Sequence, residues 1–317
     1  MAFSLIRRLL GLGAGNGIQA RRFGEYQVVR LMHEGEKSCV YQARLGQEAA
    51  YAIKAYRPGY NRTARRLAKR YHLRTEGEMG MLVNPPPGAD PKDHPIVRTI
   101  GFGWEFNDPS RGYYVVQEYL DGFNTKHMIA CEHPLLKQRR LEAARTIALG
   151  LGIIHDHGFV HRDMCSDNVL FTRDGRAKLI DLGFMAPIGL RFSEKSGTPS
   201  YMSPEQFEAR PLKPVSDIYS FGVVLYEMFT GRLPFLTPYD THNRDLLMQR
   251  MSDLMRQHLH KPPPPPSTLA SDLPAGMEAV ILRCMEKSPD RRYPSVRPLL
   301  ADLALVKERN HNGRAIV

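Results

Sequence analysis

LEAARTIALGLGIIHDHGFVHRDMCSDNVLFTRDGRAKLIDLG, residues Leu141–Gly183, is the stretch on which the fold turns. Its opening part, Leu141–Gly158, places apolar side chains at helical spacing and ends on a glycine, the pattern of a helix with a C-terminal stop. Two short strands joined by the turn TRDGR (Thr172–Arg176) follow, and the polar string HRDMCSDN (His161–Asn168) leads into them. Downstream the chain reads as a loop and further helices to about residue 307. The apolar run FGVVLYEMF (Phe221–Phe229) is a buried core helix, half the length a membrane span needs and interrupted by Glu227. KPPPPPS (Lys261–Ser267) has helical sequence on both sides and reads as a rigid connection between helices.

Upstream, from Tyr26 to about Val116, the pattern favours short strands: YQVVRL, CVYQARL, YAIKAY and YYVVQEYL. Asn61–Leu82 is a helix-prone segment rich in Arg and Lys. NPPPGADPKDHP (Asn84–Pro95) is a loop, because proline lacks the donor N–H and fixes φ. Strands come first and helices second, with the change near Asp121. That order predicts an α+β protein of two lobes around a cleft, where ligands usually sit.

The 317 residues carry 44 Lys+Arg against 33 Asp+Glu, a formal net charge of +11, with 24% charged and 42% apolar residues. This composition excludes a disordered tail, a collagen and a disulfide-stapled miniprotein. Cys39, Cys131, Cys165 and Cys284 are scattered without a CxxC pair, which points to a reducing compartment and away from zinc ribbons. His155, His157 and His161 do not have metalloprotease spacing. Residues 1–24 hold Arg7, Arg8, Arg21 and Arg22, no acid and a short apolar patch. They read as a basic extension or docking arm, with a targeting peptide or membrane-surface helix as the disfavoured alternative.

Five strings then stand in one order: YAIK (Tyr51–Lys54), HRDMCSDN (His161–Asn168), DLG (Asp181–Gly183), GTPSYMSPE (Gly197–Glu205) and DIYSFG (Asp217–Gly222). Together they closely resemble the eukaryotic-like, Hanks-type Ser/Thr protein kinases over about residues 26–307, with a layout more like bacterial members. The resemblance implies the bilobal kinase fold: a basic extension over 1–24, a small β-rich N-lobe with one main helix over 25–120, a larger α-helical C-lobe over 121–307, and a tail over 308–317. It implies a cytoplasmic enzyme that uses ATP and Mg²⁺ and transfers the γ-phosphoryl group to Ser or Thr hydroxyls of protein substrates. Autophosphorylation, and self-association to serve it, go with that reading; a nucleic-acid partner does not.

By the same resemblance, Lys54 holds the α/β-phosphates and pairs with a helix carboxylate. Glu76 and Glu78 compete for that place, and the spacing from Glu78 to Met81 and Leu82 favours Glu78. Asp163 accepts or orients the substrate hydroxyl proton, Asn168 and Asp181 bind magnesium through hard oxygen donors, and Thr198 contacts Asp163. Adenine sits against Met32, Val40, Ala52 and Leu170, with backbone bonds near Glu118–Leu120 and Gln117 guarding the back of the pocket. Gly35 lies in the phosphate-covering loop. His161, Leu182, Leu82 and Ile100 align as an apolar spine, Glu205 pairs with Arg292, and Asp217 anchors the catalytic loop. Ser193 and Ser196, beside Glu194, are candidate phosphorylation sites that Arg162 could read.

Two departures stand against the pattern. In HEGEKSCV the three glycine positions hold His33, Gly35 and Ser38, and side chains there restrict backbone approach to phosphate. Cys165 stands where the family's Ser/Thr-directed members carry a lysine. Losing one such preorganised charge costs about 10²–10³ in rate, or ~3–4 kcal/mol. Reduced activity is therefore expected before abolition, and the alternative reading is a pseudokinase: a nucleotide-binding or scaffolding module.

Overall fold

The computed structural model describes residues 21–47, 50–57, 75–104, 112–192, 197–235 and 244–307. It divides into two units: residues up to Asn84 with Val97–Leu120, and Pro85–Ile96 with Asp121 onward. The change of unit at Asp121 coincides with the switch from strand-type to helix-type sequence.

The first unit is one antiparallel sheet of β1 (Arg22–Phe23), β2 (Tyr26–Glu34), β3 (Ser38–Arg44), β4 (Ala50–Tyr56), β5 (Thr99–Trp104) and β6 (Tyr113–Glu118), ordered β1-β2-β3-β4-β6-β5. Alternation along the strands separates its two faces. One face is the core, with Phe23, Val28, Tyr41, Ala43, Ile53, Ala55 and Val116 buried together. Phe23 is fully buried and packs at a tilt against Tyr41 and Tyr114, at ring separations of 5.6 and 5.4 Å. Strand β1 thus falls inside the stretch read as the basic extension. On the opposite face the register aligns Val40, Lys54 and Val115 across β3, β4 and β6, with Gln42, Ala52 and Gln117 one step along.

Among the described residues of this unit the helix is α1 (Glu76–Leu82). Thr75 caps its start: the Thr75 hydroxyl accepts the Glu78 N–H, and the Glu78 carboxylate accepts the Thr75 N–H at 2.6 Å. This reciprocal capping box satisfies two otherwise orphaned donors. Beyond Val83, Asn84 bonds both backbone groups of Thr99, at 2.8 and 2.9 Å, and the prolines that follow forbid further helix. Helix α1 lies close on β5 because its contact residues are glycines. A Cβ at Gly77 would stand 2.3 Å from Phe102, and one at Gly80 2.0 Å from Thr99.

The second unit is mainly helical: α2 (Thr125–Ala130), α3 (Pro134–Asp156), α4 (Pro204–Phe207), α5 (Pro214–Thr230), α6 (Arg244–His260), α7 (Met277–Cys284) and α8 (Val296–Leu305). Helices α3, α4 and α5 start with proline in the first turn, where its missing donor costs nothing. Helix α5 is buried on every side from Ser216 to Phe229, as its apolar sequence requires, and packs through Gly222 against Cys284 and Met285 of the α7 region. Two small sheets complete the unit: β7 (Gly122–Asn124), β9 (Val169–Thr172) and β10 (Ala177–Leu179) in the order β10-β9-β7, and β8 (Phe159–Val160) with β11 (Ala186–Pro187). The proline loop joins this unit through an Ile96–Leu179 bridge and a 2.6 Å bond from Lys178 Nζ to the Pro91 carbonyl. No helix among the described residues is long and apolar enough to cross a membrane.

Candidate active site

In the first unit, Lys54 sits mid-strand in β4 with its side chain 12% exposed, and its Nζ stands 3.2 Å from both carboxylate oxygens of Glu76, which is 2% exposed. The expectation that Glu78 supplies this carboxylate is corrected. Side chains two residues apart on a helix diverge by about 200°, so one acid faces the sheet and the other faces away. The capping box decides which: Glu78, at the third helical position, is exposed and turned back onto Thr75. Sequence spacing to Leu82 missed this, although Thr75 followed three residues later by Glu is itself a legible helix-start signal.

Two tyrosines stand at the start of α1. The Tyr56 hydroxyl donates to Glu76 Oε2, and the Tyr113 hydroxyl accepts the Gly77 N–H at 2.8 Å. The other nucleotide-contact residues expected here lie on the same sheet. Val40 and Ala52 are half-buried beside Lys54, Gln117 is buried, and Met32 is exposed. Glu118 is tied to Arg98 through its backbone N–H and its carboxylate; Leu120 is half-buried at the end of the unit. The Gly35 N–H donates to the Ser38 carbonyl at 2.9 Å, and Arg57 bonds the Gly35 carbonyl and Glu34, closing the β2–β3 turn on itself. Leu82 and Ile100 of the expected spine are half-buried in this unit.

In the second unit the loop 161–168 is built around Asp217 at the start of α5. The Asp217 carboxylate accepts the backbone N–H groups of His161 and Arg162, at 2.7 and 2.9 Å, and bonds His155 Nε2 at 2.9 Å. Burial alone would raise this carboxyl, but these bonds hold it below the usual carboxylate range. They also fix Arg162 at φ +69°, a left-handed conformation that costs a non-glycine residue roughly 1–3 kcal/mol. Gln206 adds a bond to the Arg162 carbonyl at 2.8 Å. The three histidines have separate uses: His155 on Asp217, His157 capping α3 through the Ile153 carbonyl, and buried His161 accepting the Asp163 N–H.

Asp163 follows in this fixed loop. Its Oδ1 accepts two bonds from Thr198, the N–H at 2.7 Å and the hydroxyl at 2.8 Å, and its Oδ2 stands 3.3 Å from Asn168 Nδ2. Gly197, at φ +124°, lets the chain pass the loop: a Cβ there would stand 3.0 Å from the Arg162 carbonyl. Asn168 commits its amide nitrogen to the carbonyl and carboxylate of Asp163, which leaves its amide oxygen, a hard donor, for a cation. Asp181, the second expected magnesium ligand, is held at φ +64° with Oδ1 accepting the Gly183 N–H. This oxygen-only pair fits Mg²⁺, which keeps few protein ligands and completes its shell with phosphate and water.

Cys165 is 2% exposed, and burial together with the neighbouring Asp163 pushes its thiol well above the usual range. It is a buried, neutral side chain within the loop. Beside it, Ser166 donates to Glu227 of α5, which also accepts the Tyr201 hydroxyl at 2.5 Å. Leu170 is half-buried in β9, and His161 and Leu182 are fully buried. The Glu205 carboxylate meets the Arg292 guanidinium through two bonds, at 2.7 and 3.1 Å, deep in the helical core. Arg162 donates to the Phe184 carbonyl and stacks on Phe192. Ser193, Glu194 and Ser196 lie outside the described residues, as does the basic extension before residue 21.

A family profile described as protein kinase domain matches residues 26–302. The chain is 30% identical over 230 residues to serine/threonine-protein kinase PknB of Mycolicibacterium smegmatis, covering 70% of this chain and 34% of that protein. It is 29% identical over 289 residues to the probable serine/threonine-protein kinase SCO3848 of Streptomyces coelicolor, covering 88% of this chain and 39% of that protein. PknB of Mycobacterium tuberculosis is 30% identical over 228 residues, with 70% and 34% covered. The match thus spans between a third and two fifths of the length of these relatives.

Proposed function

The chain belongs to the protein kinase domain family, and from that premise we propose that it is an ATP- and Mg²⁺-dependent Ser/Thr protein kinase able to phosphorylate itself. The observation that carries the reading is the state of Asp163: one carboxylate oxygen is occupied by Thr198, and the other is oriented by Asn168. In this reading Asp163 Oδ2 receives or orients the proton of a substrate Ser or Thr hydroxyl, so that the oxygen attacks the γ-phosphorus. Thr198 keeps Asp163 from rotating away. Lys54, oriented by Glu76, holds the α/β-phosphates by charge. Bound through Asn168 and Asp181, Mg²⁺ supplies charge neutralisation to the phosphate oxygens.

Cys165 brings no charge to the transferring group. Transfer is accordingly slower, by about 10²–10³, than in an otherwise equal site with a lysine there. The four unpaired cysteines fit a reducing, cytoplasmic location. Protein hydroxyls are the proposed acceptors and a second copy of the chain the first of them. The second reading, a nucleotide-binding module without transfer, is favoured by Cys165 and by the self-bonded turn at Gly35. Phosphoamino-acid analysis after incubation with γ-labelled ATP and Mg²⁺ separates the two. Phosphoserine or phosphothreonine is expected; phosphotyrosine alone contradicts the Ser/Thr assignment, and label-free protein that still binds nucleotide supports the second reading.

A further inference from the structure

Lys54 and Glu76 form a nearly dry ion pair, with side chains 12% and 2% exposed. Such a pair holds its geometry only if the remaining carboxylate lone pairs find donors, because desolvation offsets much of the attraction. Tyr56 supplies one. It lies two residues after Lys54 on β4, so strand alternation puts both side chains on the same face. Its hydroxyl donates to Glu76 Oε2, and its ring carries Lys54 Nζ at 5.2 Å from the centroid. Tyr113 stacks on Tyr56 at 5.8 Å, is backed by Trp104 at 4.6 Å, and accepts the Gly77 N–H in the next helical position. Both tyrosines are buried, at 8% and 4% exposure. The first turn of α1 is therefore gripped twice from the sheet, once at a side chain and once at the backbone.

We propose that Tyr56 is a positioning residue for phosphoryl transfer: its hydroxyl holds Glu76 on Lys54 and so keeps the start of α1 against the sheet. The proposal rests on the kinase reading above for its consequence in rate, and on the tyrosine contacts alone for its consequence in structure. Replacing Tyr56 by Phe keeps the ring stack and removes one donor. The buried Glu76 carboxylate then keeps Lys54 but has one donor fewer, and the first turn of α1 loosens.

The test is a double-mutant cycle of Y56F and E76Q with two readouts, steady-state phosphoryl transfer and amide hydrogen exchange over residues 76–82. Y56F is expected to lower kcat about tenfold, with a smaller change in the KM for ATP, and to speed exchange over α1 by a similar factor. In the E76Q background Y56F is expected to add little to either quantity, since its partner is already gone. Effects of Y56F and E76Q that simply multiply would make Tyr56 an ordinary packing residue, and an unchanged kcat and exchange rate in Y56F would equally overturn the proposal. If the wild-type chain transfers no phosphate, the kinase reading fails; the exchange cycle still decides whether Tyr56 acts through Glu76.

Discussion

Cys165 lies on the backbone between Asp163 and Asn168, yet its thiol is shut away from solvent and held in its neutral form. The thiolate is the nucleophile in alkylation and oxidation, so a buried thiol with a raised pKa reacts slowly. Cys131 is exposed, Cys39 is partly so, and Cys284 is buried with its thiol likewise pushed up. Treating the folded protein with iodoacetamide near pH 8 is expected to label Cys131 and Cys39, and to leave Cys165 and Cys284 unmodified with phosphoryl transfer intact. Peptide mass mapping of labelled protein checks this. Label on Cys165 accompanied by loss of transfer would mean that the loop opens and that its cysteine is a reactive site.

Helix α1 depends on a close approach that only small side chains permit. Gly77 and Gly80 are three apart and both face β5, with Phe102 and Thr99 in the space a Cβ would fill. Gly77→Ala is expected to push α1 off the strand, costing about 1–3 kcal/mol of stability by overpacking and breaking the Lys54–Glu76 contact. Urea denaturation and a transfer assay on the same preparation measure the two effects. Stability and transfer equal to those of the wild type would contradict the packing described. At this scale the sequence was unevenly readable. Helix α5 was legible from FGVVLYEMF because burial on all sides leaves an apolar run broken only at Glu227. The choice between Glu76 and Glu78 was not settled by spacing, because a seven-residue helix with acids at its first and third positions has two candidate registers. The cap at Thr75 resolves them. Tyr56 was visible in principle, two residues beyond Lys54 in YAIKAY, but alternation gives a face and not a partner.

Across the molecule, the loop 161–168 owes its shape to charge buried far from its own sequence. Asp217, 54 residues after Asp163 in the chain, holds two loop amides and His155, and its carboxyl stays below the usual 3.8. The sign follows from linkage. A carboxyl depressed in the folded state stabilises the fold above its unfolded value of about 4, and the contribution is lost as pH falls through and below that value. The stability gap between wild type and Asp217→Asn is therefore expected to be large at neutral pH and to shrink below about pH 4, as read from denaturant midpoints at each pH. A gap independent of pH would show that the Asp217 charge plays no part. The order of motifs along the chain made this loop legible, since each string carries its neighbours' context. Its strained backbone at Arg162 was not, because that left-handed conformation is held by bonds from Asp217 and Gln206, distant in the chain.

These elements meet in one claim, that Asp163, held by Thr198 and Asn168, directs phosphoryl transfer to a protein hydroxyl despite the neutral Cys165. Intact-mass analysis after incubation with Mg²⁺ and ATP, wild type beside Asp163→Asn, tests it most directly. Whole added phosphates on the wild-type chain and none on the variant are the expected result. A folded wild-type chain that gains no phosphate, or equal gain on both chains, would contradict it.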